Sequence, residues 1–219
     1  SIRHWLVEDA KSARAFLGRV ATVTPLAAPI QALDIRELPR PPKGSGPISE
    51  PDLASLQALL APARQGGVVG LLSEAGLPAV ADPGAALVRA AHAVGLRVEA
   101  LPGPTALMLA LAASGLNGQH FAFVGYLPVP ADDRAWRIRE LDAQSRRLRQ
   151  TQIAIETPYR NAALLSALVQ HLAPDTRLSV ACALTWPQGW SRTSAAALWR
   201  RGDLAIDNRL PAVFLWQAA

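Results

Sequence analysis

The apolar run GVVGLL, residues 67–72, is followed by SEAGLPAVADPG and then by AALVRAAHAVG. No other stretch of the chain restricts the fold as strongly. A short continuous apolar run reads as a strand buried on both faces, the kind found in parallel sheets covered by helices. The third segment carries apolar residues at helical spacing, with Gly95 placed as a terminating glycine. Between strand and helix lies a long crossing, residues 73–84, rich in Gly, Pro and acids. Connections of about two to six residues usually suffice there. A long ordered crossing at the carboxyl end of a buried strand is where an α/β protein commonly holds a ligand. Within it, Asp82 before Pro83 predicts a helix N-cap followed by proline at the first helical position.

The pattern continues with LRVEAL as a second strand and PGPTALMLALAASGL as a turn into a second helix, capped by Thr105 and closed by Gly115. Earlier in the chain, DAKSARAFL has helical character and LDIREL is a plausible strand. The Pro-rich stretch 25–51 has a turn-rich, mobile core, PPKGSGP. DLASLQALLAPARQG predicts an amphipathic helix capped by Asp52. Beyond residue 117 the texture changes. HFAFVGYL, TQIAIE, RLSVACAL and PAVFLWQ read as strands, with helices over ADDRAWRIRELDAQSRRLRQ and TPYRNAALLSALVQHLA, the second capped by Thr157. The expected architecture is a two-domain α/β chain: a parallel-sheet N-terminal domain over residues 1–116, and a smaller mixed α+β domain over 117–219.

Composition narrows the functional classes. No run of about eighteen apolar residues is present, so no membrane span is expected. The single cysteine, Cys182, cannot form an internal disulfide, and the four histidines show no metal-ligand spacing. A cytoplasmic protein without a structural metal site is expected, with Cys182 as a packing residue on a strand. The formal net charge is +5, carried almost wholly by Arg, since Lys11 and Lys43 are the only lysines. Arg suits phosphate and carboxylate partners, although a bias of the genome toward Arg codons explains the same composition. Arg134, Arg137, Arg139, Arg146, Arg147 and Arg149 lie on one expected helix. Asp132, Asp133, Glu140 and Asp142 offset them, so the helix reads either as a solvated face or as an edge that contacts phosphates. Trp186 and Trp190 fall in an expected loop, where they either stack on a base or pack against the second domain.

SEAGLPAVADPG, LPGPTAL, FVGYLP, IETPYR and ACALT occur in an order and spacing that resemble the tetrapyrrole (corrin/porphyrin) methylase superfamily. The nearest branch is the one that 2′-O-methylates a cytidine of small-subunit ribosomal RNA. In that branch the stretches look like S-D-A-G-T-P-x-x-S-D-P-G, P-G-P-S-A, F-x-G-F-L-P, E-S-P-H-R and A-R-E-L-T. The resemblance covers roughly residues 67–185. It implies a two-domain fold that binds S-adenosylmethionine between its domains, usually as a homodimer. This chain departs from the branch at Glu74, Leu77 and Tyr159. It also carries VPADD at 129–133 where basic residues follow F-L-P in the RNA branch. The family's opening strand and its P-T-P-I-G-N-L loop have no counterpart before LVEDAKSARAFL, so the chain is expected to begin beyond them.

By that resemblance, cofactor contact falls to Ser73, Glu74, Ala75, Gly76, Pro78, Val80 and Asp82 in the long crossing. It falls also to Pro102, Gly103, Pro104, Thr105 and Ala106 in the second loop, and to Tyr126. Gly76 and Gly84 permit close backbone approach, while Pro78 and Pro83 stiffen the path. Methyl transfer depends chiefly on holding donor and acceptor at attack distance, which can supply roughly 7–11 kcal/mol. A ribose hydroxyl acceptor must also lose its proton, and Glu8, Asp9 and Glu156 are the candidate bases. Glu74 also reads as a solvated acid, and Glu156 equally as a helix cap or an ion pair with Arg160. Three functions follow: an RNA methyltransferase, a porphyrin or corrin methylase of the same fold, or a binding protein that keeps the fold without the chemistry.

Overall fold

The computed structural model describes residues 2–39, 52–202 and 205–219, so the core of the Pro-rich stretch lies outside the described residues. The chain divides into two compact units, Ser1–Gly103 and Pro104–Ala219.

In the first unit, β1 (His4–Val7) leads into α1 (Ala10–Ala21), and β2 (Asp34–Glu37) follows a short 3-10 turn. Then come α2 (Leu53–Leu59), α3 (Ala61–Arg64), β3 (Val69–Leu72) and α4 (Ala85–Ala93). The sheet order is β2-β1-β3, all parallel, with Val7 level with both Glu37 and Leu72. Period-two alternation divides the strand residues between two faces. Leu6, Val69 and Leu71 join Leu56, Leu60, Leu87 and Ala90, the apolar sides of α2 and α4. Trp5, Val7, Ile35 and Leu72 join Ala13 and Leu17 of α1. The sheet is therefore parallel and covered on both faces, as the apolar run predicts. Asp52 caps α2, accepting from Ser55 N at 3.1 Å, and Gly95 takes φ +72° after α4.

LRVEAL is not a strand. Arg97 to Leu101 are exposed, and none of them pairs with another strand among the described residues. Its alternation comes from Arg97 and Glu99, which form an exposed ion pair on one side of an extended segment.

The second unit holds α5 (Ala106–Ser114), β4 (Phe121–Tyr126), α6 (Ala131–Leu148) and β5 (Thr151–Glu156). It continues through α7 (Asn161–His171), β6 (Arg177–Cys182), β7 (Trp190–Ala195), α8 (Ala196–Trp199) and β8 (Ala212–Gln217). The sheet order is β4-β5-β8-β6-β7. Only β4 and β5 pair in parallel; the other neighbours are antiparallel. One face buries Leu178, Val180, Cys182, Phe214 and Trp216 against Ile138, Leu141, Leu164 and Leu168 of α6 and α7. The other buries Ile153, Ala181, Val213 and Leu215 against Leu107, Ala110 and Leu111 of α5. That packing makes α5 part of the second unit. The compact units consequently part at Gly103 and Pro104, whereas the sequence pattern sets its boundary near residue 117.

Cys182 is buried at the end of β6, where burial first and Asp207 second push its thiol up. Trp190 is not in a loop: it opens β7, opposite Cys182, and packs on the core, while Trp186 in the preceding turn is half exposed. No described helix is long and apolar enough to cross a membrane.

Candidate functional site

In the first unit the carboxyl ends of the three parallel strands lie side by side. That register brings Glu8 and Asp9 after β1, Glu37 at the end of β2, and Ser73 and Glu74 after β3 to one edge. Asp9 caps α1, its Oδ1 accepting from Lys11 N (3.0 Å) and Ser12 N (2.8 Å). Glu37 Oε1 accepts from Ala10 N at 2.9 Å. Ser12 Oγ donates to Glu74 Oε1, tying the first turn of α1 to the loop after β3.

The crossing at 73–84 coils on itself. Ser73 hydrogen-bonds Asp82 across the loop, Val80 N donates to Leu77 O (3.2 Å), and Ala79 N to Pro83 O (3.3 Å). Gly76 (φ +82°), Ala79 (+64°), Ala81 (+61°) and Gly84 (+134°) all occupy positive φ. For each alanine a left-handed backbone costs roughly 1–2 kcal/mol. Strain of this kind persists only where surrounding structure imposes it, and it clusters at ligand sites. Burial pushes the Asp82 carboxyl above its ordinary value, opposed by the hydrogen bond from Ser73.

Asp82 is not the N-cap of α4. Gly84 holds that position without a side-chain bond, because the Asp82 carboxylate turns back to Ser73. Glu74, Ala75, Gly76 and Val80 are exposed on the loop, and Pro78 is half-buried. The N–H groups of Ala75 and Gly76 meet no acceptor among the described residues. Pro102 and Gly103 end the unit on exposed backbone.

In the second unit, Pro104 and Thr105 precede Ala106 at the start of α5. Thr105 is extended and makes no side-chain cap bond; its carbonyl accepts from Leu109 N at 3.0 Å. Tyr126 ends β4 directly after Gly125 (φ +70°) and is exposed. Because Tyr126 pairs with Ile155, Tyr126 and Glu156 share one end of the sheet. Glu156 is buried, its Oε2 accepting from Arg160 Nη2 (2.7 Å) and its Oε1 from Thr157 N (2.8 Å) and Thr157 Oγ1 (3.3 Å). Thr157 makes no cap bond through its own side chain.

Ser12 and Glu37 are the site residues that sequence reasoning missed. The one available signal was Asp9 as N-cap, which sets Ser12 in the first helical turn, beside the strand ends.

The chemistry of the first unit's edge suits a sulfonium nucleoside. Carboxylates offer acceptors for an ammonium and attraction for a sulfonium, and free peptide N–H groups offer donors for a carboxylate. A polar, strained loop at the carboxyl ends of parallel strands lies where open α/β sheets commonly hold ligands. The family model for Tetrapyrrole (Corrin/Porphyrin) Methylases matches residues 12–196, and this chain belongs to that family.

Among curated relatives, "Ribosomal RNA small subunit methyltransferase I" of Mesorhizobium japonicum is 40% identical over 127 residues, 58% of this chain and 42% of the relative. The protein of that name from Pseudomonas aeruginosa is 44% identical over 97 residues, 44% of this chain and 33% of the relative. The one from Synechocystis is 36% identical over 144 residues, 65% of this chain and 50% of the relative. The match thus spans half or less of each of these relatives. Among solved structures, the methyltransferase CobJ superposes with a TM-score of 0.54 at 20% identity, covering 100% of this chain and 95% of the other. Cobalt precorrin-4 methyltransferase CbiF gives 0.52 at 15% identity, with 99% and 84% covered. These two likenesses are of fold.

Proposed function

We propose that this chain is an S-adenosylmethionine-dependent methyltransferase acting on a ribose 2′-hydroxyl of small-subunit ribosomal RNA. The observation that carries the reading is the identity, 36–44% over the stretches above, to proteins named for small-subunit ribosomal RNA methylation, within a family of methylases. The fold alone does not choose an acceptor, since CobJ and CbiF share it.

When bound, S-adenosylmethionine supplies an electrophilic methyl group on a sulfonium. The chain's part is to hold and orient. Ser73, Glu74, Ala75, Gly76, Pro78, Val80 and Asp82 form the proposed donor-holding loop. Ser12 fixes its near end through Glu74, and Ser73 fixes its two arms through Asp82. Pro102 to Ala106 and Tyr126 are proposed donor contacts by family resemblance. Glu8, Asp9 and Glu156 are the proposed acceptor-side carboxylates. Asp9 and Glu156 already accept hydrogen bonds within the chain, and any carboxylate is a weak base toward a hydroxyl. A weak base suffices where the hydroxyl proton leaves as the new bond forms. The working form in this reading is a homodimer in the cytoplasm, which light scattering on the purified chain tests for assembly.

The deciding experiment is transfer of a tritiated methyl group from the donor to small ribosomal subunits lacking the modification. Counts in the RNA at a ribose are expected. Counts in a porphyrin or corrin instead would move the chain to the macrocycle methylases. Donor binding without transfer to either would make it a binding protein on a methylase fold.

A further inference from the structure

We propose that the groove between α6 and the end of α7 is a docking site for the phosphodiester backbone of the RNA acceptor, separate from the donor loop. This rests on the RNA reading above and names a surface of contact for that acceptor. The groove encloses about 510 Å³ and is lined by Arg139, Arg146, Arg147 and His171, with Asp142 as its one acid.

The negative groups near the groove are already committed. Asp142 is buried, its Oδ2 accepting from Ala173 N (3.0 Å) and its Oδ1 from Thr176 Oγ1 (2.7 Å). The last carbonyls of α7 are covered by Arg200, whose Nε donates to Val169 O and whose Nη2 donates to Leu172 O, both at 2.8 Å. Asp175 takes a forked pair of bonds from Arg146, which also donates to Ala219 O at 2.6 Å, so the Arg146 guanidinium is held in place.

Arg139 and Arg147 have no acidic partner among the described residues. Arg139 donates to His171 Nδ1 at 3.3 Å, a bond that needs a neutral ring. Burial, then Arg139 and Arg134, push the His171 pKa down and keep it neutral. The negative end of α6 accounts for Arg146 and Arg147 in its last turn. It does not account for Arg139, two turns earlier. Eight residues of helix separate Arg139 from Arg147 by about 12 Å. A single phosphate does not bridge that span, whereas successive phosphates of one strand do. Unpaired guanidinium groups at that spacing recognise a polyanion through its backbone, independently of sequence.

The test uses the full chain and an unmethylated small-subunit ribosomal RNA transcript, with affinity measured across a salt series. In R139Q/R147Q the affinity is expected to fall about tenfold and the log–log salt slope to become shallower by about 1.4, two single-strand phosphate contacts. Donor affinity by calorimetry stays unchanged. R137Q is the control: Arg137 lies on the same helix, bonds Glu140 and does not line the groove. Unchanged affinity and slope in R139Q/R147Q overturn the groove while leaving the methyltransferase reading intact if the wild type still labels ribosomal subunits. Equal loss in R137Q and the double variant overturns it too, since net charge then accounts for binding. A wild type that binds no RNA also overturns it, and the labelling experiment separately judges the wider reading.

Discussion

Ser12 and Glu74 are hydrogen-bonded, Oγ to Oε1, across 62 positions of sequence. The bond joins the first turn of the helix after β1 to the loop after β3, whose strands are neighbours in the sheet. It anchors a loop that otherwise holds its shape through its own backbone bonds and the Ser73–Asp82 contact. Removing it should loosen the proposed donor site without unfolding the unit. Ser12→Ala is therefore expected to weaken donor binding about threefold to tenfold, for an exposed bond of roughly 1 kcal/mol. Melting should shift little. Calorimetry with S-adenosylmethionine reads the first, and equal affinity in wild type and variant would separate the bond from the donor.

Backbone strain in the same loop makes a paired prediction. A Cβ on Gly84 would lie 2.9 Å from Leu71 Cδ2, at a φ of +134° that L side chains rarely adopt. Gly84→Ala should destabilise by about 2 kcal/mol or more. Ala79→Gly and Ala81→Gly relieve left-handed strain and should raise the melting temperature slightly, since the relief exceeds the entropy cost of glycine by about 0.5 kcal/mol. Thermal melts of the three variants check the opposite signs.

Asp82 should show a conflict between stability and ligand binding. Burial raises its folded pKa, so between the unfolded and the folded values the folded chain holds a proton that the unfolded chain has released. Its contribution is most favourable below the unfolded value near 3.9 and is lost as pH rises through the folded pKa. Asp82→Asn should therefore melt at or above the wild-type temperature at pH 7, with the difference vanishing near pH 4. Donor affinity should fall. Melts at the two pH values and a donor titration at pH 7 distinguish these effects.

Asp207 has the opposite sign. The side chain of Arg209, and then its backbone N–H, hold the Asp207 carboxyl down at about 2. The stability it supplies is present above the unfolded value near 3.9 and disappears as pH falls toward about 2. Carboxyl carbon NMR should find Asp207 titrating near that lower value, and Arg209→Gln should return it toward the ordinary aspartate range.

The Glu156–Arg160 pair tests the second unit. The Glu156 side chain is 1% exposed, so Arg160→Ala leaves a buried carboxylate without its cation, at a cost of about 3 kcal/mol. Glu156→Gln keeps the shape and should cost less. If Glu156 also serves the acceptor, Gln lowers kcat with donor affinity unchanged, and it alters the pH profile. A purely structural role would leave kcat intact.

The elements that the sequence announced are those whose own residues carry the pattern. VGLL within GVVGLL packs against helices on both faces of the sheet, as its apolar run reads, while Gly67 and Val68 are exposed. The Gly, Pro and acid content of 73–84 marks a shaped crossing before any coordinates are known. WSRTSA, which forms β7, went unseen because an edge strand needs no apolar stripe, and none of its residues is fully buried. LRVEAL misled because alternation makes a strand only where a neighbour is present to pair with it. ADPG carries every local sign of a helix cap, yet the Asp82 side chain bonds Ser73, nine positions back across the loop.

The sequence by itself determined the strand–crossing–helix order, the parallel sheet of the first unit and the family, because each rests on residues close together in the chain. Tertiary structure decided that Ser12, Glu37 and Glu74 share one edge, that α5 belongs to the second sheet, and that the acids around Arg139 and Arg147 are spent elsewhere. Those outcomes depend on which distant segments pack together, and the free energy of that packing is spread over the whole core rather than written in any one stretch.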